Sequence, residues 1–274
     1  MSRIAYDPVK DRFAQIIRRF RFLRTLFYKI LDLFFLRSWY IRKILRNYGS
    51  EMDTQGQWKL LDAGSGFGQY DRFILQEFDN VNVQAVDVKE DYLEDSRRYF
   101  ERQIKAGRIT FNQEDLLKID FEDTFDFVIC VDVLEHIEED EKVMKNIYRA
   151  LQTGGYFLMH SPSIYSEEDA NGDESFVDEH ARPGYSINDI SDKLNNSGFA
   201  VTEVAYTYGK KGHLAWELII KYPMLWLNKI KLWALPLMAV YYIPVLPLSL
   251  LLMALDVLDN NERGAGIYAL AQKQ

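Results

Sequence analysis

The stretch Leu60-Leu61-Asp62-Ala63-Gly64-Ser65-Gly66-Phe67-Gly68 constrains this chain more than any other. It reads as a buried strand running straight into a turn with glycine at every second position. Such a turn can take positive φ and come within van der Waals reach of a ligand. The helix expected next, Arg72 to Phe78, would present its N-terminal amides to the same place. A nucleotide-like cofactor is the tenant this implies. The dinucleotide fingerprint needs a third small residue, and that position holds Gln69, so the fingerprint fails. No Gly-Lys-Ser/Thr phosphate loop is present either.

The following segments repeat a strand-then-acid pattern. Val81 to Val86 is a second strand ending at Asp87, where a carboxylate can accept both ribose hydroxyls. Ile109 to Asn112 is a short third strand, followed by Glu114-Asp115-Leu116. Phe125 to Val131 is an almost unbroken apolar run, as a strand covered on both faces requires, and leads into Asp132-Val133-Leu134-Glu135-His136. After a polar helix from Glu139 to Leu151, Gly154-Gly155 turns into a fifth strand, Tyr156 to His160. Strands alternating with helices argue for a doubly wound, mostly parallel α/β sheet. Asp62, Asp87, Asp115 and Asp132 then stand at the carboxyl ends of successive strands, the edge where such sheets bind ligands. Each alone could be a turn former or a cap. Together they make an acidic rim that suits a cation and repels a pyrophosphate.

With Asp-x-Gly-x-Gly-x-Gly and this register of acids, the chain resembles the class I S-adenosylmethionine-dependent methyltransferases over about residues 58 to 208 plus the last strand. The resemblance implies a seven-stranded Rossmann-like sheet and S-adenosylmethionine as cofactor. It implies that Asp62 and the loop of Gly64, Ser65, Gly66 and Gly68 hold the methionine moiety. Asp87 would hold the ribose, Asp115 the adenine amino group, and Leu116 or Val88 the ring. Asp132 and Val133 would wall the sulfonium. Leu134-Glu135-His136-Ile137 looks like a segment many small-molecule methyltransferases carry, in which His136 is either a ligand contact or a helix-start histidine with a structural hydrogen bond.

Two additions flank this domain, expected over 51–274. Residues 1–48 hold twelve lysines and arginines against three acids, while the whole chain is −8. Asymmetry of this kind points to a partner. Phe13, Ile16, Ile17, Phe20, Leu23, Phe27, Ile30, Leu31, Phe34, Ile41, Ile44, Leu45 and Tyr48 recur at helical spacing, with most of the basic residues on the other side. A basic, aromatic-rich amphipathic extension over 1–50 suits a membrane interface. The same stripe would also serve as a lid on the sheet. Nucleic acid is disfavoured because the rest of the chain is acidic.

The second addition, Leu232 to Leu255, has no charge over 24 residues. Its length would allow a membrane span. Phe199 to Tyr206 and Gly266 to Ala271 read as the sixth and seventh strands, which in the resembling fold lie side by side, so the chain must leave and return on one side. Pro236, Pro244 and Pro247 suggest two short helices bending near 243–247, a shallow hairpin within an insertion of about 222–258. Lys221, Lys229, Lys231, Trp226 and Trp233 flank it as interface residues do. A dimer patch or a cap folded on the domain would use the same apolar surface, so an oligomer stays open.

The loop after the fifth strand is where acceptor groups sit in the resembling fold. Within Phe176 to Ser186, His180 is the first candidate base, with Asp178 or Glu179 to orient it and Tyr185 beside it; a structural fastening loop uses the same residues. His160 is a second candidate base and His213 a weaker third. Four scattered histidines and one cysteine show no metal-ligand spacing, so no metal is expected, and Cys130 reads as a small buried hydrophobe. Arginines interrupt the first apolar residues, so a cytoplasmic protein at the inner face of the membrane is expected rather than a secreted one. The expectation is a methyltransferase acting on a small, lipophilic or membrane-associated acceptor. A soluble small-metabolite enzyme with apolar lid and dimer segments, and a non-catalytic S-adenosylmethionine-binding membrane scaffold, remain alternatives.

Overall fold

A computed structural model of the chain describes residues 21–166, 181 and 183–274. Seven strands form one mixed sheet in the order β3-β2-β1-β4-β5-β7-β6. They are β1 (Trp58–Ala63), β2 (Val81–Asp87), β3 (Ile109–Gln113), β4 (Phe125–Val131), β5 (Leu151–Pro162), β6 (Ala200–Thr207) and β7 (Gly266–Gln272). The pairs β1–β2, β1–β4, β2–β3 and β4–β5 are parallel, whereas β7 runs antiparallel between β5 and β6. Strand order reverses between β1 and β4, which opens a crevice at their carboxyl ends. The fifth strand begins earlier than Tyr156, because Leu151 already pairs with Phe125 before a shift in register.

Alternate residues of each strand enter opposite cores. Leu60, Phe127, Ile129, Leu158 and Leu270 face one side, where helices α1 (Arg21–Phe34), α2 (Leu36–Gln55) and α3 (Gln69–Glu77) lie. Leu61, Val128, Cys130, Phe157 and Ala269 face the other, against α5 (Asp140–Ala150) and α6 (Ile187–Asn196); α4 (Glu90–Tyr99) links β2 to β3.

The N-terminal stripe is not one helix. It breaks at Phe35, which is extended (φ −100°, ψ 109°), and α2 carries Leu36, Tyr40, Ile41, Ile44 and Leu45 into the core beside the sheet. The boundary expected at residue 50 therefore falls inside α2, a helix continuous to Gln55. Phe13, Ile16, Ile17 and Phe20 lie outside the described residues. Arg24, one of the twelve basic residues of 1–48, is buried. Its guanidinium donates to Tyr28 Oη at 2.8 Å, Asp95 O at 2.7 Å, Phe67 O at 3.0 Å and Ser96 Oγ at 3.1 Å, so its donors are met inside.

The apolar insertion also differs from expectation. α7 (Lys210–Trp216) passes through a π-helical turn into α8 (Tyr222–Ile230), and the reversal falls at Lys231–Trp233. α9 (Ala234–Leu258) then runs unbroken for 25 residues through Pro244 and Pro247. Pro236 sits in its first turn, where no N–H is needed. The tyrosines just before Pro244 hold the helix in line, since Tyr241 Oη donates to Leu218 O and Tyr242 Oη to Ile219 O. Length and composition allow α9 to cross a membrane, and little of it is buried.

Candidate active site

The glycine loop hangs from the adjoining strand. Gly64 N and Ser65 N both donate to Val86 O, at 2.8 and 2.9 Å, and Gly68 N closes the turn on Ser65 O. Gly64 has φ +92°, and a Cβ there would run into the side chain of Val133. The loop and the β4 exit are thus fitted to one another, and only glycine allows it. Helix α3 starts at Gln69, three residues earlier than the spacing predicts.

The four aspartates line up as the sequence implies, each held differently. Asp87 accepts from Gly66 N and from Lys89 N, both at 2.9 Å. Asp115 accepts from Leu117 N and Lys118, the backbone bond first, which hold its carboxyl below the usual range. Leu116 is buried in the core beside it, whereas Val88 is exposed. Asp62 is buried against Asp71 of α3. Asp62 Oδ2 and both Asp71 carboxyl oxygens meet no N–H or O–H donor from another residue. Burial first, and the neighbouring carboxylate second, push Asp62 well up, and burial raises Asp71 to about 7. Ser65 Oγ is buried and unsatisfied too. A cationic donor group of a ligand is what these oxygens lack, and the set fits the ammonium end of S-adenosylmethionine.

Asp132 is the centre of the other half. It has φ +54°, a conformation that non-glycine residues rarely hold except at constrained sites. One carboxylate oxygen faces His160 Nδ1 at 2.7 Å, and the other is ion-paired to Arg37 of α2. Burial opposes its charge, but Arg37 and His160 outweigh that and keep it well below the carboxylate range. His160 Nε2 lies 3.1 Å from Thr207 Oγ1, so the carboxylate partner assigns the ring proton to Nδ1. Gly266 makes room for this bond, since a Cβ there would stand 3.0 Å from His160 Nε2 and against Thr207 Oγ1. Tyr208, also at positive φ (+56°), accepts from the backbone N–H of Arg37, and burial raises its hydroxyl to about 12. Glu135, buried next to Asp132, receives Ser161 Oγ–H at 3.0 Å, and burial followed by the Asp132 charge raises it to about 8.

The remaining sequence candidates separate. His136 is exposed in the turn Leu134–His136. Tyr185 is fully buried and donates to Asp140 Oδ2 at 2.8 Å, a contact shared with Lys193, so its hydroxyl fastens the loop to α5. His213 belongs to α7, near Glu217. Asp178, Glu179 and His180 lie outside the described residues. Arg37, Asp71, Thr207 and Tyr208 were not singled out by motif. Arg37 did leave a trace: it follows Phe34 by three and precedes Ile41 by four, a cation at a position of the apolar stripe.

Residues 61–159 match a family model described as a methyltransferase domain. The chain is 29% identical over 158 residues to phosphoethanolamine N-methyltransferase 2 of Caenorhabditis elegans, covering 57% of this chain and 35% of that one. It is 32% identical over 108 residues to the sterol 24-C-methyltransferase erg6 of Aspergillus fumigatus, covering 39% and 28%. The chain thus spans about a third of the length of these curated relatives. In fold it is similar to a putative sarcosine dimethylglycine methyltransferase from Galdieria sulphuraria, with a TM-score of 0.58 and 86% of each chain covered at 15% identity. Residues 61–159 thus match a methyltransferase domain, and the fold around them is similar to that of a solved methyltransferase, with an acid-rimmed glycine loop at the carboxyl ends of the strands.

Proposed function

We propose that this chain transfers a methyl group from S-adenosylmethionine to a small lipophilic acceptor, working at the cytoplasmic face of a membrane. The observation that carries the reading is the rim of Asp62, Asp87, Asp115 and Asp132 around a glycine loop whose buried Asp62 and Ser65 oxygens lack donors. When bound, the cofactor supplies a methyl group already activated by its sulfonium, so the chain's task is alignment and exclusion of water. Asp62 and Ser65 hold the ammonium end, Asp87 takes the ribose hydroxyls, and Asp115 takes the adenine amine. Asp132 is held as a carboxylate by Arg37 and His160 and would supply negative charge to the wall facing the cofactor's sulfonium. His160 keeps its proton on Nδ1 and acts as a positioning residue. His180 is the candidate general base for a hydroxyl or carbon acceptor, and a neutral amine acceptor would need none.

The membrane part rests on exposed apolar side chains gathered on α8, α9 and the outer side of α1. Trp233, Leu237, Val240, Ile243, Phe22 and Leu26 are all exposed. Patches of this kind mark interaction surfaces. Calorimetric titration with S-adenosylhomocysteine tests the cofactor reading: Asp87→Ala is expected to weaken binding at least tenfold, and unchanged affinity rejects it. His180→Ala should cut turnover about a hundredfold at constant cofactor affinity if the acceptor needs a base. Flotation with vesicles tests the membrane reading. A folded oligomer that stays in solution would move the acceptor to soluble metabolites and make α8–α9 a dimer contact.

A further inference from the structure

A second cavity, of about 620 Å³, lies between α1, α2 and α3, and none of its lining residues belongs to the methyl-transfer cleft. Lys29, Arg42, Lys43, Arg46 and Arg72 surround it, with Asp32 as the sole acid in the lining. Five cations facing one carboxylate are not neutralised by it. Asp32 Oδ2 is 3.5 Å from Arg42 and 3.4 Å from Arg72, and its other oxygen accepts from Gln69. Arg46 is paired outside the cavity with Glu77 at 2.8 Å. Lys43 Nζ spends a hydrogen bond on a neutral carbonyl, Val257 O, at 2.9 Å. Lys29 has no partner among the described residues. The Nε of Arg72 is buried without an acceptor, on a side chain only 11% exposed.

The arrangement asks for an anion with several oxygens. Guanidinium groups suit phosphate because their forked donors match its oxygens, and lysines add point charge. The rest of the lining says where that phosphate comes from. Leu33, Trp39 and Val257 share the cavity with the cations. Leu33 is exposed and belongs to the helix whose outer side bears Phe22, Leu26 and Ile30, while Val257 precedes Leu258, 77% exposed at the end of α9. Basic residues beside an indole and bare aliphatic surface match the boundary between lipid head groups and hydrocarbon.

We propose that this cavity binds the phosphate head group of an anionic phospholipid and docks the enzyme on the membrane at a site separate from the cleft. The proposal rests on the membrane reading above, and its test separates the two.

The full-length chain is floated with vesicles of phosphatidylcholine alone and with about one-fifth phosphatidylglycerol. The Lys29→Gln/Lys43→Gln chain is compared with a Lys105→Gln/Lys145→Gln chain, which loses the same charge from exposed lysines away from the cavity. Thermal melts establish that all three are folded. The expected result is preference for the anionic vesicles, reduced at least tenfold by the cavity pair and less than threefold by the control pair. Equal losses from both pairs would overturn the site in favour of diffuse charge. Wild-type protein that floats equally on neutral and anionic vesicles would overturn the site and leave the membrane reading standing. Failure to float on either removes the membrane reading itself. Glycerol 3-phosphate that stabilises the wild type without any vesicle preference would assign the cavity to a soluble phosphate and overturn the lipid.

Discussion

The chain carries two helical additions with apolar surface, a basic amphipathic one and an almost uncharged one, and the fold treats them in opposite ways. In α2, Leu36, Ile41 and Leu45 are at most 1% exposed, and the helix forms a wall of the core. In α9, Val240, Ile243 and Leu258 are between 67% and 77% exposed. α9 is anchored toward its C-terminal end, where Ser249, Met253 and Asp256 are buried. There Asp256 receives Tyr40 Oη–H at 2.8 Å and Gly212 N–H at 2.9 Å. Composition would put them the other way round, since α2 carries six charged residues and α9 only Asp256, yet α2 is the one that enters the core. What separates them is a polar clamp: α2 sends Arg37 and Tyr40 inward to acids, while the first part of α9 is tied to the π-helical turn through the hydroxyls of Tyr241 and Tyr242 and leaves Val240 and Ile243 outside.

The comparison would break first in stability. Leu45→Ala should lose about 2–5 kcal/mol in urea unfolding, as filled core positions do, whereas Leu251→Ala should stay within about 0.5 kcal/mol. Comparable losses would mean that α9 is covered in solution. Next in size is Arg37→Ala, which removes the counter-charge from Asp132. We expect kcat/KM to fall about thirtyfold, about 2 kcal/mol, with S-adenosylhomocysteine affinity within a few-fold; activity within threefold of wild type would reduce α2 to scaffold.

The buried Asp62–Asp71 pair sharpens the comparison through pH. Both folded-state values lie above the unfolded ones, so the native state holds the extra proton. This contribution is fully present in acid, below the unfolded carboxylate range, and is lost as pH rises toward and beyond neutrality. Asp71→Asn should flatten that slope by on the order of 1 kcal/mol between pH 5 and 8. An unchanged slope would show that burial does not raise Asp71 in the folded protein. The smallest expected effect on folding is Ile243→Ser, within about 0.5 kcal/mol, although vesicle partition should drop measurably. Unaltered partition would detach α9 from any membrane contact.

Much of the cofactor half was legible because it is local. An apolar run marked β1, a second apolar stretch ending at Asp87 marked β2, and the glycines marked a turn whose φ values few other residues tolerate. The break at Phe35 and the unbroken course of α9 through two prolines were not legible. In both, a tertiary contact outweighed local preference: core packing drew α2 inward, and Tyr241 and Tyr242 held α9 straight.

The order of elements, the glycine loop and the placing of an acid at or just past the carboxyl end of each of four strands follow from the sequence alone, since they depend on spacing within a few residues. The state of those acids was decided only in three dimensions. Arg37 meets Asp132 across 95 positions of chain, and His160 meets Thr207 across 47. Charge and proton position depend on the partner that burial brings near and on the water it removes, and no local spacing encodes either.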